Sequence, residues 1–513
     1  MKIERTKNAT RNIIYGVLLK IYQLLGPFIL RTIFIYTLGM EYLGLNSLFT
    51  SILSVLNLAE LGVGSALVFS MYKPIAEDDK EKICALMNLY KLYYRIIGAV
   101  ILVIGLILVP FIPNLISGSA PEDINIYVLY LMNLGATVLS YWLFAYKTCL
   151  FGAHQRNDVT AKVTMISSTL QYIIQAVLLI IVANYYLYLV ITLVTGVFNN
   201  LYAAWKCNKM FPNYNARGHL DKSEVKVING KVRDLFTAKV GGVIVNSADS
   251  LVISAFLGLS VLGIYNNYYY IMSSIMGFIA IIFSSCMAGI GNSLVTDSIE
   301  KNYRDFKMMT FIVGWLIIFS TTGFLCLYQP FMEIWVGKNN MFGIDIVVLF
   351  CIYFVVCELS MIWATYKDAA GIWHEDRFRP LIGATANLIM NILMVKFLGW
   401  GVYGILASTI ISYLLISMPW LIYNLSKVLF KRSLIPYVGY ILKICLVTIV
   451  SSLVSYRICL LINTNIYLNL IIRLVIVIII SNLFVYIIFR KNEEFKETKN
   501  LIKRILGFVK KEK

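Results

Sequence analysis

The sequence predicts an all-α polytopic membrane protein of about fourteen transmembrane helices. It places them in two parallel six-helix repeats, forming two lobes around a central cavity, plus two C-terminal helices. Three observations carry this: the composition, the alternation of apolar runs with basic loops, and an internal repeat. Of 513 residues, 59% are hydrophobic and 14% charged; the mean hydropathy is +0.77. A soluble domain has about 45–50% apolar and about 25% charged residues. The charges here are too few to cover several soluble domains, so the bilayer is the main solvent. Disorder, collagen, coiled coil and a disulfide scaffold are excluded by the same composition.

A spanning helix needs about 20 mostly apolar residues. Such segments fall at 13–38, 43–70, 89–111, 125–150, 161–183, 186–205, 235–258, 262–290, 306–328, 343–366, 380–398, 401–424, 437–462 and 466–490. The first has a basic start (Lys2, Arg5, Lys7, Arg11), as a signal peptide would. Its apolar run is too long for one, Lys20 interrupts it, and no small-residue cleavage site follows, so an uncleaved span is expected.

The net charge of +18 does not point to nucleic acid, because the cations sit in short segments between apolar runs. With the N-terminus inside, the inner loops hold Lys73, Lys80 and Lys82; Arg156; Lys209, Arg217, Lys222, Lys226, Lys231 and Arg233; Lys301 and Arg304; Arg377 and Arg379; and Lys427, Lys431 and Arg432. The outer loops hold essentially Lys338. This asymmetry predicts cytoplasmic N- and C-termini. The expected domains are an N-terminal lobe (1–206), a cytoplasmic linker (207–234), a C-terminal lobe (235–425), two additional helices (437–490) and a basic tail (491–513) with an amphipathic pattern. The nine cysteines are scattered without a CxxC pair, so no metal site is expected.

The two halves share features at a nearly fixed offset. Leu38-Gly39 and Leu43-Gly44 return as Leu257-Gly258 and Leu262-Gly263, and Lys20 returns as Lys239. Gly62-Val63-Gly64-Ser65-Ala66-Leu67-Val68 returns as Gly289-Ile290-Gly291-Asn292-Ser293-Leu294-Val295. Tyr146-Lys147 with His154 returns as Tyr366-Lys367 with His374. Each repeat covers six helices, an even number, so both begin on the same side and are parallel repeats.

Ionisable residues inside spans are costly and usually face a cavity or a partner. Lys20, Gln23, Pro27 and Arg31 share one helix face in the first span; Lys239, Asn246, Asp249 and Ser250 share one in the seventh. Lys20, Arg31 and Lys239 would line a cationic cavity that attracts an anionic substrate, Arg in a bidentate fork and Lys as a point charge. Gln23 and Asn246 add polarity. Glu60, which has no acidic counterpart in the second repeat, and Asp249 could carry a coupling proton or pair with those cations. The alternative is structural: Lys20 and Arg31 snorkel to opposite surfaces, while Glu60 and Asp249 fix helix packing. Lys147 and Lys367 are expected as interfacial anchors. Tyr265, Tyr268, Tyr269 and Tyr270 fit an interfacial belt, or aromatic faces for sugar rings beside Asn266 and Asn267.

The run Asn57-Leu58-Ala59-Glu60-Leu61-Gly62-Val63-Gly64-Ser65-Ala66, followed by Tyr72-Lys73-Pro74-Ile75-Ala76, resembles bacterial polysaccharide-biosynthesis flippases of the multidrug/oligosaccharidyl-lipid/polysaccharide exporter superfamily. So does Asn246 to Gly263, with Ala248-Asp249 ahead of Phe256-Leu257-Gly258. The resemblance covers most of the chain. It implies a non-enzymatic transporter that flips undecaprenyl-diphosphate-linked oligosaccharide to the outer leaflet for O-antigen, capsule or exopolysaccharide. It implies no cofactor, coupling to protons or sodium, and a polysaccharide polymerase as a partner. The related lipid II flippases bear several arginines in the first lobe, whereas Lys20 and Arg31 are the only basic residues deep in the first two spans here. A multidrug antiporter of the same superfamily, or a membrane-embedded polymerase or glycosyltransferase, are the competing readings. Against the latter, the outer loops are short and His154, His219 and His374 all fall in inner segments.

Overall fold

The computed structural model describes residues 5–118 and 120–511; for some of these, Lys239 and Asn246 included, only the backbone is described. No strand occurs among the described residues. Among the described residues, thirteen helices are long and apolar enough to cross a membrane, and a pair bent by 51°, Ile126–Trp142 with Ala145–Ala153, makes a fourteenth where it counts as one span. The chain is a multi-pass membrane protein with thirteen to fourteen candidate spans, against about fourteen predicted. It divides into two compact units, Met1–Gly263 and Ile264–Lys513.

The first unit holds α1 (Arg5–Thr37), α2 (Met40–Leu56), α3 (Val63–Ala76), α4 (Lys80–Leu108), α5 (Ile126–Trp142), α6 (Cys149–Ala153), α7 (Asn157–Val182), α8 (Tyr185–Met210) and α9 (Lys222–Leu257), and ends in the first turn of α10 (Leu259–Thr296). α1 runs through Pro27 as one helix and lies along α7. Gly26 makes this approach possible: a Cβ there would lie 2.4 Å from the Tyr172 ring. The Tyr22 hydroxyl meets Thr169 Oγ1 at 2.7 Å. On the same helix, Leu18, Ile21, Leu25 and Ile29 form an exposed apolar stripe at the spacing of one face.

The second span is broken. After α2 the chain makes a 3-10 turn, Asn57–Glu60, and Gly62 turns left-handed (φ +91°) before α3 begins. That backbone suits glycine, and space demands it as well. A Cβ at Gly62 would lie 2.7 Å from Leu235 Cβ and 2.9 Å from the Val232 carbonyl oxygen, both on α9.

The second unit holds the rest of α10, then α11 (Ile299–Val336), α12 (Ile344–Ala369), α13 (Arg379–Ile392), α14 (Gly401–Ser412), α15 (Met418–Asn424), α16 (Ile435–Leu460), α17 (Ile466–Phe489) and α18 (Glu493–Lys511). α11 is central and packs on α12, α16 and α17. Phe306 on α11 is fully buried among Tyr366, Phe430 and Tyr437, with ring centroids 4.8–5.0 Å away. The Tyr437 hydroxyl meets Thr310 Oγ1 at 2.9 Å and accepts from Trp363 Nε1 at 2.6 Å. Large aromatic area with its polar tips satisfied makes a stable seam. The spans either side of Gly399 contain π-helical turns at Leu393–Phe397, Tyr413–Ser417 and Leu425–Leu429, a form that often marks functional positions.

Tyr265 and Tyr268 belong to this core and to neither predicted role. They are buried against Phe350 at 5.5 and 5.8 Å. α18 carries the basic tail, and its acidic start is docked: Glu494 pairs with Lys307 at 2.8 Å and Glu497 with Arg304 at 3.1 Å.

Candidate functional site

The broken second span places Glu60 at a joint, where tyrosines from two helices converge on it. Tyr94 on α4 donates to Glu60 Oε1 at 2.7 Å. Tyr141 on α5 lies 2.9 Å from Glu60 Oε2 and 3.1 Å from Asn57 Oδ1, sharing its one proton between them. Tyr90 and Tyr94 hydroxyls are 2.9 Å apart. The Tyr94 proton is committed to Glu60, so Tyr90 must be the donor to Tyr94. The result is a hydroxyl chain from Tyr90 through Tyr94 to a carboxylate that also accepts from Tyr141. Such a network suits a charged acceptor, because bonds to an ion are stronger than neutral ones.

The glycine motif belongs to this site. Gly62 makes the turn, and Gly64 leaves room for Tyr90, whose hydroxyl would stand 2.8 Å from a Cβ there. In the second copy Met287 takes the place of Glu60, and α10 runs through Gly289 and Gly291 without a break. The joint is therefore a property of one repeat only. Sequence reading found Glu60 but missed Tyr90, Tyr94 and Tyr141. The i, i+4 spacing of Tyr90 and Tyr94 within an apolar run was the available signal.

The α1 stripe is the second element. Lys20 and Gln23 are exposed and Arg31 is half-buried, within electrostatic reach of Tyr188 on α8. Lys20, Gln23, Pro27 and Arg31 repeat the spacing of Leu18, Ile21, Leu25 and Ile29 two residues on. At 3.6 residues per turn the two stripes are about 200° apart, on nearly opposite faces. One turn beyond Arg31, Phe34 is buried against Tyr185 and Tyr188 at 5.7 and 5.1 Å.

On α9, Asp249 is buried, as are Ser247, Ser250 and Ser254. The side chains of Lys239 and Asn246 lie outside the described residues. The buried cluster of Asn387, Asn391, Ser408 and Thr409 on α13 and α14, with Asn387 donating to Thr409 Oγ1 at 2.9 Å, had no sequence signal beyond polarity within apolar spans.

Each unit also carries a buried carboxylate gripped by an arginine, near its copy of the Tyr-Lys…His motif. In the first, Arg156 meets Asp158 through Nε at 2.8 Å and Nη2 at 3.2 Å, with Lys162 at 3.6 Å. Asp158 holds the Arg156 guanidinium above its ordinary pKa, chiefly through that hydrogen bond. Asn12 on α1 clips the same turn, donating to the Gln155 carbonyl at 3.0 Å and accepting from the Asp158 amide at 2.9 Å. Beside it His154 stacks on Phe211 at 4.4 Å, and burial lowers its pKa. In the second, Arg379 meets Asp376 at 2.6 and 2.9 Å, and Lys367 approaches Asp376 at 3.1 Å. Lys367, expected at the interface, is thus a buried ion-pair member, because Asp376 folds back over it. Lys147 instead donates to Asn208 at 2.6 Å at an exposed position.

Residues 9–287, more than half the chain, match the family model described as Polysaccharide biosynthesis protein. The chain belongs to that family. Glu60, its tyrosines and the α1 stripe all lie within the matched segment. No curated protein matches this family member in sequence. Among solved structures it is similar to one described as Lipid II flippase MurJ, inward closed conformation, with a TM-score of 0.70 and 16% identity, covering 93% of this chain and 99% of that one. A multidrug resistance MATE family transporter of the MOP superfamily, inward-facing, gives a TM-score of 0.62 at 13% identity, covering 81% and 97%. A MOP superfamily transporter from Pyrococcus furiosus gives 0.52 at 12%, covering 83% and 97%. At these identities the likeness establishes a shared fold.

Proposed function

We propose that this polysaccharide biosynthesis protein is a flippase. It moves polyprenyl-diphosphate-linked oligosaccharide from the inner to the outer leaflet of the bacterial cytoplasmic membrane by alternating access. The observation that carries the reading is the opposition of two stripes on α1: apolar residues on one face, Lys20, Gln23 and Arg31 on the other. A helix with lipid on one side and water on the other lines a hydrated chamber. A diphosphate and its sugars cannot enter hydrocarbon without losing their hydration. Cations along the chamber replace that hydration for the head group, while the polyprenyl tail stays in lipid.

In this reading the lobes 1–206 and 235–425 are the moving bodies, and Lys239 extends the cationic lining from the second. Residues 437–490 and the basic tail stand outside the repeat. Glu60 is the coupling group. It exchanges a proton or sodium ion, and the tyrosine chain restores its bonds in the ion-free state. Asp249 on α9 shares that coupling role, and Asn246 adds polarity beside it. The product would serve O-antigen, capsule or exopolysaccharide assembly, with a polymerase acting on the far side.

Deletion of the gene followed by mass analysis of accumulated polyprenyl-linked intermediates tests this directly. A lipid-linked oligosaccharide should build up, and complementation should clear it. Unchanged intermediates together with altered drug resistance would replace the proposal with a multidrug antiporter.

A further inference from the structure

The C-terminal half of the span 401–429 carries a pocket of about 640 Å³ that belongs neither to the Glu60 site nor to the α1 stripe. Its walls include Leu415, Trp420, Tyr423, Asn424, Lys427 and, from the segment between α12 and α13, Glu375. Two π-helical turns, Tyr413–Ser417 and Leu425–Leu429, flank α15 here. The volume lies within the range of small-molecule sites, about 300–1,000 Å³.

Three features say what this pocket takes. First, Asn424 is 3% exposed, and its Nδ2 has no hydrogen-bond partner. Buried amide donors are normally satisfied, so this donor, on a residue lining the pocket, is left for a partner the protein does not itself supply. Second, Lys427 and Glu375 both border the pocket, yet neither forms an ion pair among the described residues. Opposite charges share one cavity without neutralising each other. Third, Leu415 is 72% and Tyr423 62% exposed. Trp420 donates through Nε1 to the Glu375 carbonyl at 3.1 Å. Exposed apolar side chains beside a hydrogen-bonded indole are the signature of a membrane–water boundary.

We infer that this pocket is a phospholipid head-group site selective for phosphoethanolamine. The lipid phosphate accepts from Asn424 Nδ2 and the Lys427 ammonium. The primary ammonium of ethanolamine donates to the Glu375 carboxylate, and the acyl chains follow Leu415 and Tyr423. The selectivity comes from the opposite charges. A choline head group has no N–H to give Glu375. A glycerol head group has no cation, and its phosphate alone would meet the carboxylate unpaired.

Native mass spectrometry of the full-length protein, released from nanodiscs of equimolar phosphatidylethanolamine, phosphatidylcholine and phosphatidylglycerol, reads this out. Wild type should retain one phosphatidylethanolamine in preference to phosphatidylcholine by about tenfold, the worth of one charge-assisted bond. Glu375→Gln should abolish that preference while still retaining lipid. Lys427→Met should lower retention of all three lipids, and inorganic phosphate at millimolar levels should not displace the bound lipid. Both substituted positions are exposed, and unchanged melting temperatures will show that the variants fold. Preference for phosphatidylglycerol, displacement by free phosphate, or retention indifferent to both substitutions would each overturn the assignment.

Discussion

Gly44 and Gly263 face each other across the start of two helices, and each sits on the other helix's first residue. A Cβ at Gly44 would lie 1.9 Å from the Leu259 carbonyl oxygen; one at Gly263 would lie 2.5 Å from the Met40 carbonyl oxygen and 3.4 Å from the Gly44 nitrogen. The preceding glycines match too: Gly39 has φ +96° and Gly258 φ +93°. The contact is reciprocal, each glycine meeting the first residue of the other helix, and it falls on residues that the sequence pairs by motif.

Alanine at either glycine must therefore push backbone against backbone. Gly44→Ala should cost about 1–3 kcal/mol as an overpacked contact. Gly263→Ala should cost less, in line with its longer approach. Because the two share one contact, the double variant should fall short of the sum. Melting temperatures of the purified variants measure this, and strict additivity would contradict a common contact.

Glu60→Gln keeps the shape of the side chain but removes the charge that Tyr94 and Tyr141 serve. Flipping in proteoliposomes should fall sharply while the protein remains folded. Tyr141→Phe removes one bond to a charged acceptor, worth about 1.5–3 kcal/mol, and should give a milder loss. Full activity in Glu60→Gln would remove the coupling role.

Arg31→Ala and Lys20→Ala should each reduce surface glycan without reducing membrane insertion, as judged by immunoblot of the membrane fraction. Normal glycan in both would end the cationic-chamber reading. Asp249→Asn should change the dependence of transport on the pH gradient or membrane potential; an unaltered dependence would exclude it from coupling.

Asp158→Asn leaves Arg156 and Lys162 without their shared anion. Arg156 and Lys162 are partly exposed and water can take up their charge, so the cost is that of the lost charge-assisted hydrogen bonds, about 1.5–3 kcal/mol, and this variant should melt earlier than wild type. Arg379→Ala should act similarly through Asp376. Wild-type stability in both would show these pairs to be energetically idle.

Burial lowers the His154 pKa, below an ordinary value of about 6.5. The unfolded chain then binds a proton that the folded chain does not. Stability should be full above about pH 6.5, decline as pH falls through that value, and level off below the depressed folded-state pKa. Melting curves between about pH 7.5 and pH 5 should show this slope, and His154→Gln should flatten it.

Hydropathy made the span count legible, because twenty apolar residues have few alternatives in water. The paired helix junctions were legible because glycine with positive φ cannot be exchanged freely, as Gly39 and Gly258 illustrate. What sequence did not reveal is partnership. Glu60 was visible as a charge in an apolar run, but Tyr90 and Tyr94 look like any tyrosines until α4 is packed against the break. Lys367 looked like an anchor because its partner Asp376 is nine residues away, past a turn that hydropathy does not resolve. The helix break itself was hidden: Leu58-Ala59 and Leu61 on either side of Glu60 are apolar, and only contact with Val232 and Leu235 explains why Gly62 bends.

A carboxylate on an unbroken rod can change its charge without changing the rod. Glu60 stands on a knuckle between two half-rods, held by tyrosines from two other rods. If Glu60 exchanges an ion as proposed, a change in its grip on those hydroxyls would act at the knuckle itself, where one oxygen atom has leverage over both ends of the span.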